Sequence, residues 1–168
     1  MNTCVETWES PVGTLYIAAT DYAVCAVAFD SNWQRILANL GHVRIQSNAL
    51  TQTTIRQLQA YFAGTRRTFA LPLELHGTDF QLRTWQALSE IPYGETRSYS
   101  EQATAMGQPQ AVRAIGHTNG LNPVSIIVPC HRVIAKSGKL AGYAGGLAAK
   151  EYLLALEAGE SSNGRNHV

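Results

Sequence analysis

The sequence has few cysteines and no long hydrophobic run, and each shortage excludes a class of protein. Its three cysteines, Cys4, Cys25 and Cys130, contain no C-x-x-C pair, so neither a disulfide framework nor a thiolate zinc cluster is expected. No apolar run approaches the roughly 20 residues of a membrane-spanning helix. The start, MNTCVETWESPVG, lacks the basic and apolar regions of a secretory signal. We therefore expect a cytoplasmic globular protein that does not associate with membranes.

Net charge is also small, because 13 Lys and Arg against 12 Asp and Glu leave a formal charge of +1. No overall basic field therefore indicates a nucleic acid partner. The distribution is uneven, however, since the stretch from Arg97 to Lys139 has five cations and one anion, Glu101. Such an excess is typical of a solvated face and also of a DNA contact. The five cations are Arg97, Arg113, Arg132, Lys136 and Lys139.

Hydrophobic residues make up 45% of the 168 positions and charged residues only 15%, which is enough to build the core of one domain or two small ones. Residues 1–75 are predicted to form an α/β domain without a catalytic constellation. The periodicity predicts two strands and two helices in it. The strands are expected at Leu15–Ala19 and Tyr22–Phe29, and the helices at Trp33–Leu40 and Thr54–Ala63.

Residues 76–160 are predicted to form a second, mostly helical domain, and residues 161–168 a disordered tail. Two capping-box spacings predict helix starts in this second domain, because Ser or Thr is followed three residues later by Gln or Glu. The pairs are Thr78 with Gln81 and Ser98 with Glu101.

The helix that starts at Ser98 is expected to end at Gly107, and Pro109 to occupy the first position of a helix with the body Ala111–Ile115. Two short helices joined in this way form a helix-turn-helix pattern, although such a pair is also a common way to pack a small helical domain. Small residues, Ala111 and Ala114, flank Arg113, which would let the second helix enter a minor groove about 6 Å wide.

A candidate nucleophile follows a predicted strand, Val124–Val128. Cys130 and His131 are adjacent, and a thiol becomes reactive when a nearby base or cation favours its thiolate. Neighbouring residues of an extended strand point to opposite faces, so the pair needs a bend or a bridging water to cooperate. A buried, inert cysteine is the alternative interpretation.

A carboxylate interrupts the apolar stripe of the last predicted helix, Leu147–Glu157. Glu157 falls between leucines on the helical wheel, and burying its charge is costly unless a partner such as an imidazole is present. A frayed helix end that reaches solvent is the alternative. With Cys130 and His131, the glutamate would complete a Cys–His–Glu relay.

The sequence PCHRV around Cys130 resembles the active-site motif of the O6-alkylguanine-DNA alkyltransferases. Further motifs of that family follow in order along nearly the whole chain: YFAG, IPYGETRSY, AVRAIG, NPVSIIVPCHRV, GYAGG and KEYLLALE. The resemblance implies an α/β fold, with a small ribonuclease-H-like N-terminal α/β domain followed by a mostly helical, winged-helix-like domain with a helix-turn-helix. It also implies single-step, irreversible transfer of an alkyl group from O6-alkylguanine, and less efficiently O4-alkylthymine, in duplex DNA, without a cofactor.

The resemblance assigns catalytic roles by position. Cys130 would be the nucleophile, His131 a water-mediated base, Glu157 the orienter of the ring, and Asn122 a hinge before the active-site segment. Tyr99 would crowd the target phosphate, help to flip the nucleotide and donate a proton to the leaving guanine.

The resemblance also implies roles in binding. Arg113 would be an arginine finger that fills the vacated base stack, with Ala111 and Ala114 beside it in the groove. The pocket for the flipped base would be lined by Val133, Tyr143 and Ala144.

Two departures limit what is carried over from the family. Ala144 stands where some relatives have a serine, which bears on the range of adducts accepted. The structural zinc of some relatives is not expected, because the cysteines and histidines of the N-terminal half have the wrong spacing. We expect a monomer, with cooperativity on DNA left open.

Three competing interpretations are considered. Alkyltransferase-like proteins bind the same lesions without transfer but lack the cysteine that is present here as Cys130. A transcriptional regulator and a Cys–His hydrolase are further alternatives, the latter without a recognisable oxyanion loop.

Overall fold

The computed structural model describes residues 2–140 and 142–159. The chain divides into two compact units, and the second begins at Gly77. The first unit contains residues 2–76 and also the later segment Pro123–Ile127, whereas the second contains Gly77–Asn122 and the described residues from 128 onward. The predicted tail, 161–168, lies outside the described residues.

The first unit is a four-stranded sheet with two helices. Its strands lie in the order β3-β2-β1-β4, and all neighbours are antiparallel except β1 and β4, which are parallel. The elements are β1 (Thr3–Ser10), β2 (Gly13–Ala19), β3 (Val24–Phe29), α1 (Asp30–Leu40), β4 (Val43–Ile45) and α2 (Ala49–Phe62).

Alternation along the strands gives the sheet two apolar faces. Ala18 and Ala26 belong to a buried cluster with Trp33 and Ile36 of α1. Leu15 is an odd number of positions from Ala18, so its side chain lies on the opposite face, where it is fully buried. The helix α2 contacts β1 and β2. Small residues under Trp33 let α1 lie close to the sheet.

The predicted strand at Leu15–Ala19 and both predicted helices of this unit are confirmed, with shifted starts. The helix expected from Trp33 starts at Asp30, and that expected from Thr54 starts at Ala49, where the Asn48 side chain accepts a hydrogen bond from the backbone N–H of Thr51. The second predicted strand starts at Val24 rather than Tyr22. β1 and β4 were missed because neither has an apolar run.

The predicted strand Val124–Val128 is wrong. Ile127 donates its backbone N–H to the carbonyl of Ser125 at 2.8 Å, across Ile126 with a left-handed φ of 74°. This is a γ-turn geometry that costs a branched residue roughly 1–2 kcal/mol. The segment before it pairs with β3, since Val27 donates to Pro123 at 3.0 Å and accepts from Ser125 at 2.9 Å. The predicted boundary at residue 75 lies next to the start of the second unit at Gly77, except that the later segment Pro123–Ile127 groups with the first unit.

The second unit is mostly helical, with one two-stranded parallel ladder. Its elements are α3 (Asp79–Ser89), β5 (Arg97–Ser98), α4 (Tyr99–Ala105), α5 (Val112–Asn119), a 3₁₀ helix (Cys130–Arg132), β6 (Val133–Ile134) and α6 (Leu147–Glu157). Together with the sheet of the first unit, these elements confirm the predicted α/β class with a helical second part.

Both capping boxes are confirmed at the starts of α3 and α4. In the second, Ser98 donates its backbone N–H to Glu101 at 2.7 Å, and its hydroxyl accepts from the Glu101 N–H at 3.0 Å. Gly107 follows the end of α4 with a left-handed φ of 71°, as predicted. Pro109 does not begin the next helix, because α5 starts only at Val112.

Buried amides hold α4 and α5 together. Gln102 and Asn119 exchange two hydrogen bonds of 3.0 and 2.8 Å, and Trp85 of α3 donates its indole N–H to the Thr118 carbonyl at 2.9 Å. Paired buried amides carry a large penalty when they separate, so the helix pair is a rigid platform. Within the described residues, no helix has the length and hydrophobicity needed to cross a membrane.

Candidate active site

Two tight turns place Cys130 beside His131. Pro129 has φ −86° and ψ 67°, and the Cys130 N–H donates to the Val128 carbonyl at 2.9 Å, which together define an inverse γ-turn. The chain then enters the 3₁₀ helix Cys130–Arg132. Consecutive residues of such a helix are about 120° apart instead of on opposite faces, and this supplies the bend that the sequence required.

Asn122 holds the turn before Cys130 with its side chain. Its side-chain amide donates to the Val128 carbonyl at 2.8 Å and is 2% exposed. A hydrogen bond between the same side chain and the Cys130 thiol favours the thiolate. Asn122 therefore links the segment after α5 to the turn that carries the cysteine.

His131 and Glu157 form the predicted pair. His131 Nε2 lies 2.8 Å from Glu157 Oε2, and both side chains are buried. Because a carboxylate only accepts, Nε2 carries the proton in the neutral ring and Nδ1 presents its lone pair. Nδ1 is buried and has no hydrogen-bond partner among the described residues. The alternative of a frayed, solvated Glu157 is excluded.

Arg132 is a second partner of Glu157. Its Nε donates to Oε1 at 2.7 Å and its Nη2 to Oε2 at 2.9 Å, while Nη1 donates to the Ile91 carbonyl at 2.7 Å. The guanidinium also lies 5.7 Å from the centre of the Tyr93 ring. One of the five cations of the basic stretch is thus buried in the site and unavailable to DNA.

These contacts set the charges of the pair. Burial opposes ionisation of Glu157, but its bonds to His131 and Arg132 outweigh burial and lower the pKa of Glu157 from 4.5 to about 2. Burial lowers the pKa of His131 below 6.5, although Glu157 raises it. At neutral pH the carboxylate is therefore ionised and the imidazole is neutral, which is the form that accepts a proton.

The Cys130 thiol has opposing influences. Burial raises its pKa, whereas Asn122 and the positive charge of Lys150 lower it. Lys150 is fully buried and donates its Nζ to the Val133 carbonyl at 2.8 Å; burial lowers the pKa of Lys150 and the charge of Cys130 raises it. The balance leaves a neutral thiol next to a neutral imidazole.

The predicted pocket residues differ in their contacts and in how deeply they are buried. Tyr143 lies edge-on to His131, with ring centres 6.4 Å apart; burial, and then the charges of Cys130 and Glu157, raise the pKa of Tyr143 well above 10. Val133 directly follows the 3₁₀ helix and is fully buried. Ala144, next to Tyr143, is partly exposed.

Tyr99 connects the site with α5. Burial, and then the charge of Cys130, raise the pKa of Tyr99, so the phenol keeps its proton close to the cysteine. A Cβ added at Gly116 of α5 would lie 3.6 Å from the Tyr99 ring. The Tyr99 ring therefore lies against α5 at Gly116.

Three of the four predicted DNA-contacting residues lie on α5 or directly before it. Arg113 and Ala114 are exposed, and Ala111 is the partly buried residue that precedes the helix. The exposed face of α5 thus carries Arg113 beside the small residue Ala114, with His117 one turn later. The structure brings His131 and Glu157 together next to Cys130.

Sequence reasoning missed the parts played by Lys150 and Arg132. Lys150 lies three residues before Leu153 and seven before Glu157, on the same buried stripe of α6, and this periodicity was a usable signal. Arg132 gave no such signal, because its position in the short 3₁₀ helix depends on turns that local patterns do not predict.

A buried histidine–glutamate pair beside a cysteine, in a unit that also has two short helices joined by buried amides, is typical of a cysteine-based transferase or hydrolase. Comparison with known proteins resolves the class. Residues 79–159 match the family described as 6-O-methylguanine DNA methyltransferase, DNA binding domain, and residues 4–75 match its ribonuclease-like domain. The chain belongs to the 6-O-methylguanine DNA methyltransferase family.

Individual relatives agree. The methylated-DNA–protein-cysteine methyltransferase of Methanosarcina barkeri is 46% identical over 149 residues, covering 89% of this chain and 93% of the relative. The constitutive enzyme of Bacillus subtilis is 44% identical over 156 residues, covering 90% and 93%. The solved structure of Mycobacterium tuberculosis OGT in complex with DNA has a TM-score of 0.86 at 45% identity and covers 94% of each chain.

These matches confirm the resemblance seen in the sequence. They also confirm the predicted class of activity, which is direct-reversal DNA repair by a single-turnover methylated-DNA–protein-cysteine methyltransferase.

Proposed function

We propose that this protein transfers an alkyl group from O6-alkylguanine, and less efficiently from O4-alkylthymine, in duplex DNA to the Sγ atom of Cys130. The observation that carries the assignment is the buried pair of His131 and Glu157 next to the cysteine, with Nδ1 presenting its lone pair. This arrangement accepts one proton from a neighbouring thiol and holds the resulting cation against a carboxylate.

The proton moves as the sulfur attacks. Because burial raises the pKa of Cys130 and lowers that of His131, the resting pair is neutral and the thiol proton passes to Nδ1, directly or through a water. The S–C bond forms while the bond between the alkyl carbon and O6 breaks. Glu157 stabilises the imidazolium through Nε2, and the ionised state of Glu157 is secured by Arg132.

The guanine leaves with a negative charge and needs a proton to neutralise it. Tyr99, whose raised pKa keeps the phenol protonated beside Cys130, supplies it to the guanine, and the phenolate recovers a proton from the His131 imidazolium, so that the thiol proton ends on the base. Displacement at an alkyl carbon needs a soft nucleophile and a stabilised leaving group, so the step balances without a cofactor. The thioether that forms is stable, and each molecule therefore acts once.

DNA is the partner in this proposal, with α5 in the minor groove. The small residues Ala111 and Ala114 allow the approach, and Arg113 enters the stack when the target nucleotide leaves it. The flipped base would enter a pocket at Val133, Tyr143 and Ala144, close to the cysteine. Asn122 joins this helix to the turn that carries Cys130.

The setting is the cytoplasm, and the acting species is a monomer. All three cysteines are free thiols, which fits a reducing compartment. Sedimentation of the protein alone and with increasing duplex length would measure the oligomeric state and any cooperativity on DNA.

Intact-protein mass spectrometry tests the proposal. Protein is mixed with excess duplex containing one O6-methylguanine, and a gain of one methyl group is expected. Cys130→Ser should gain none, whereas Cys25→Ser, which alters another partly buried thiol, should gain it like the wild type. A parallel duplex with O4-methylthymine should react more slowly. Selective binding without any mass gain would instead indicate a lesion sensor of the alkyltransferase-like kind and overturn the proposal.

A further inference from the structure

α5 exposes a histidine that has no part in the mechanism above. The exposed residues of the helix are Arg113, Ala114 and His117, and Gly120 at the C-terminal end is exposed too. Positions 113, 117 and 120 are spaced by four and three residues and therefore lie along one stripe. His117 thus lies one turn beyond Arg113, on the face that the proposed function directs toward DNA.

The surroundings of His117 leave its ring accessible. Its neighbours on the exposed face are the small residues Ala114 and Gly120 and, one turn earlier, the cation Arg113. The structure shows no hydrogen bond or ion pair of His117 with any described residue. The position is also in the last turn of α5, where a positive charge is favoured by the partial negative charge of the helix end.

Charged groups on the packed helices do not engage the ring. α3 and α4 pack against α5, and their ionisable residues are Asp79 and Arg83 on α3 and Tyr99 and Glu101 on α4. Glu101 is held by the Ser98 backbone at 2.7 Å, and the Tyr99 ring lies at Gly116. None of the four forms a hydrogen bond or ion pair with His117. A negatively charged ligand would therefore not have to displace any of them to reach the ring.

We infer that His117 is a DNA-contacting residue whose imidazolium donates to a backbone phosphate at the edge of the groove occupied by α5. The inference rests on the proposed docking of α5 on DNA. An imidazolium has two N–H donors and a positive charge, and phosphate contacts supply affinity that does not depend on sequence. Because only the protonated ring carries this charge, DNA binding is expected to be tighter at lower pH.

Fluorescence anisotropy with a short undamaged duplex tests the inference without involving Cys130 chemistry. Wild-type protein should bind about three- to five-fold more tightly near pH 6 than near pH 8, the range of a single exposed ion pair. His117→Gln should remove this difference and lower the salt dependence near pH 6 by about one phosphate contact. His117→Arg should bind tightly at both pH values. His42→Gln changes an exposed histidine of the first unit and should behave like the wild type.

The outcomes separate this inference from the proposed function. If His117→Gln keeps the pH difference, or if His117→Arg fails to bind tightly near pH 8 while its melting curve is unchanged, the contact does not exist. Arg113→Ala reports on the docking itself: weaker binding of Arg113→Ala beside an unaffected His117→Gln overturns only the role of His117. Unchanged binding in both variants overturns the docking of α5 as well.

Discussion

Replacing Glu157 by glutamine removes one charge from the centre of the site while keeping its shape. The carboxylate accepts from His131 at 2.8 Å, from Arg132 at 2.7 and 2.9 Å and from the Gly94 backbone at 3.4 Å. A glutamine keeps one oxygen acceptor but turns an NH₂ group toward another donor. Because Arg132 is only 7% exposed, its charge would be left without compensation in a poorly solvated place.

The lowered pKa gives the size of the effect. A pKa reduced from 4.5 to about 2 corresponds to about 3 kcal/mol of folding free energy, at about 1.4 kcal/mol per pKa unit. A depressed carboxylate pKa stabilises the fold above pH 4.5, and this stabilisation is lost as pH falls through 2. Glu157→Gln should thus cost about 3 kcal/mol at pH 7 and roughly half as much at pH 3.

Urea unfolding at the two pH values, with thermal melting at pH 7, measures this. The melting temperature of Glu157→Gln should fall by about 6 to 12 °C for a chain of this length. Glu151→Gln, an exposed position of the same helix α6, is the matched control and should change stability by less than about 0.5 kcal/mol. A loss below about 1 kcal/mol at pH 7, or the same loss at pH 3, would refute the reasoning.

Three further predictions follow from the same site. The transfer rate, measured in single-turnover quench experiments, should stay level from below pH 6.5 to above pH 9, because burial lowers the pKa of His131 and raises that of Cys130; an acid limb with a midpoint at or above 6.5 would contradict this. Methylation of Cys130 should lower stability by about 1–3 kcal/mol through overpacking, and an unchanged melting curve of fully methylated protein would disprove it. Lys150→Met should slow iodoacetamide modification of Cys130 at pH 8, because it removes a positive charge that lowers the pKa of the thiol, whereas the exposed Lys139→Met should not.

Local patterns were sufficient wherever neighbours in sequence are also neighbours in space. The capping boxes at Thr78 and Ser98 predicted the starts of α3 and α4 because cap and partner are only three residues apart. The apolar stripe of α6 isolated Glu157 as a buried carboxylate in need of a partner. Such signals lie within one or two helical turns, so they can be recognised without knowledge of the fold.

Patterns failed where the backbone takes a path set by distant contacts. The β-branched run after Pro123 is typical of a strand, but Ile126 has a left-handed conformation. Its pairing with β3 depends on residues about a hundred positions earlier in the chain. β1 was missed for a related reason: its polar residues alternate so that only Cys4 and Val5 are buried, and its stability comes from neighbouring strands rather than from its own composition.

The sequence by itself determined the family and the order of the helices, and it predicted the nucleophile, the base and the carboxylate of the proposed transfer. Those properties reside in residue types and short spacings. Only the tertiary structure decided how the side chains act together: the turns that place Cys130 beside His131, the inward Arg132 that keeps Glu157 ionised, and the buried Lys150 that favours the thiolate. Burial and long-range hydrogen bonds set those charges, and both arise only after distant segments have packed against each other.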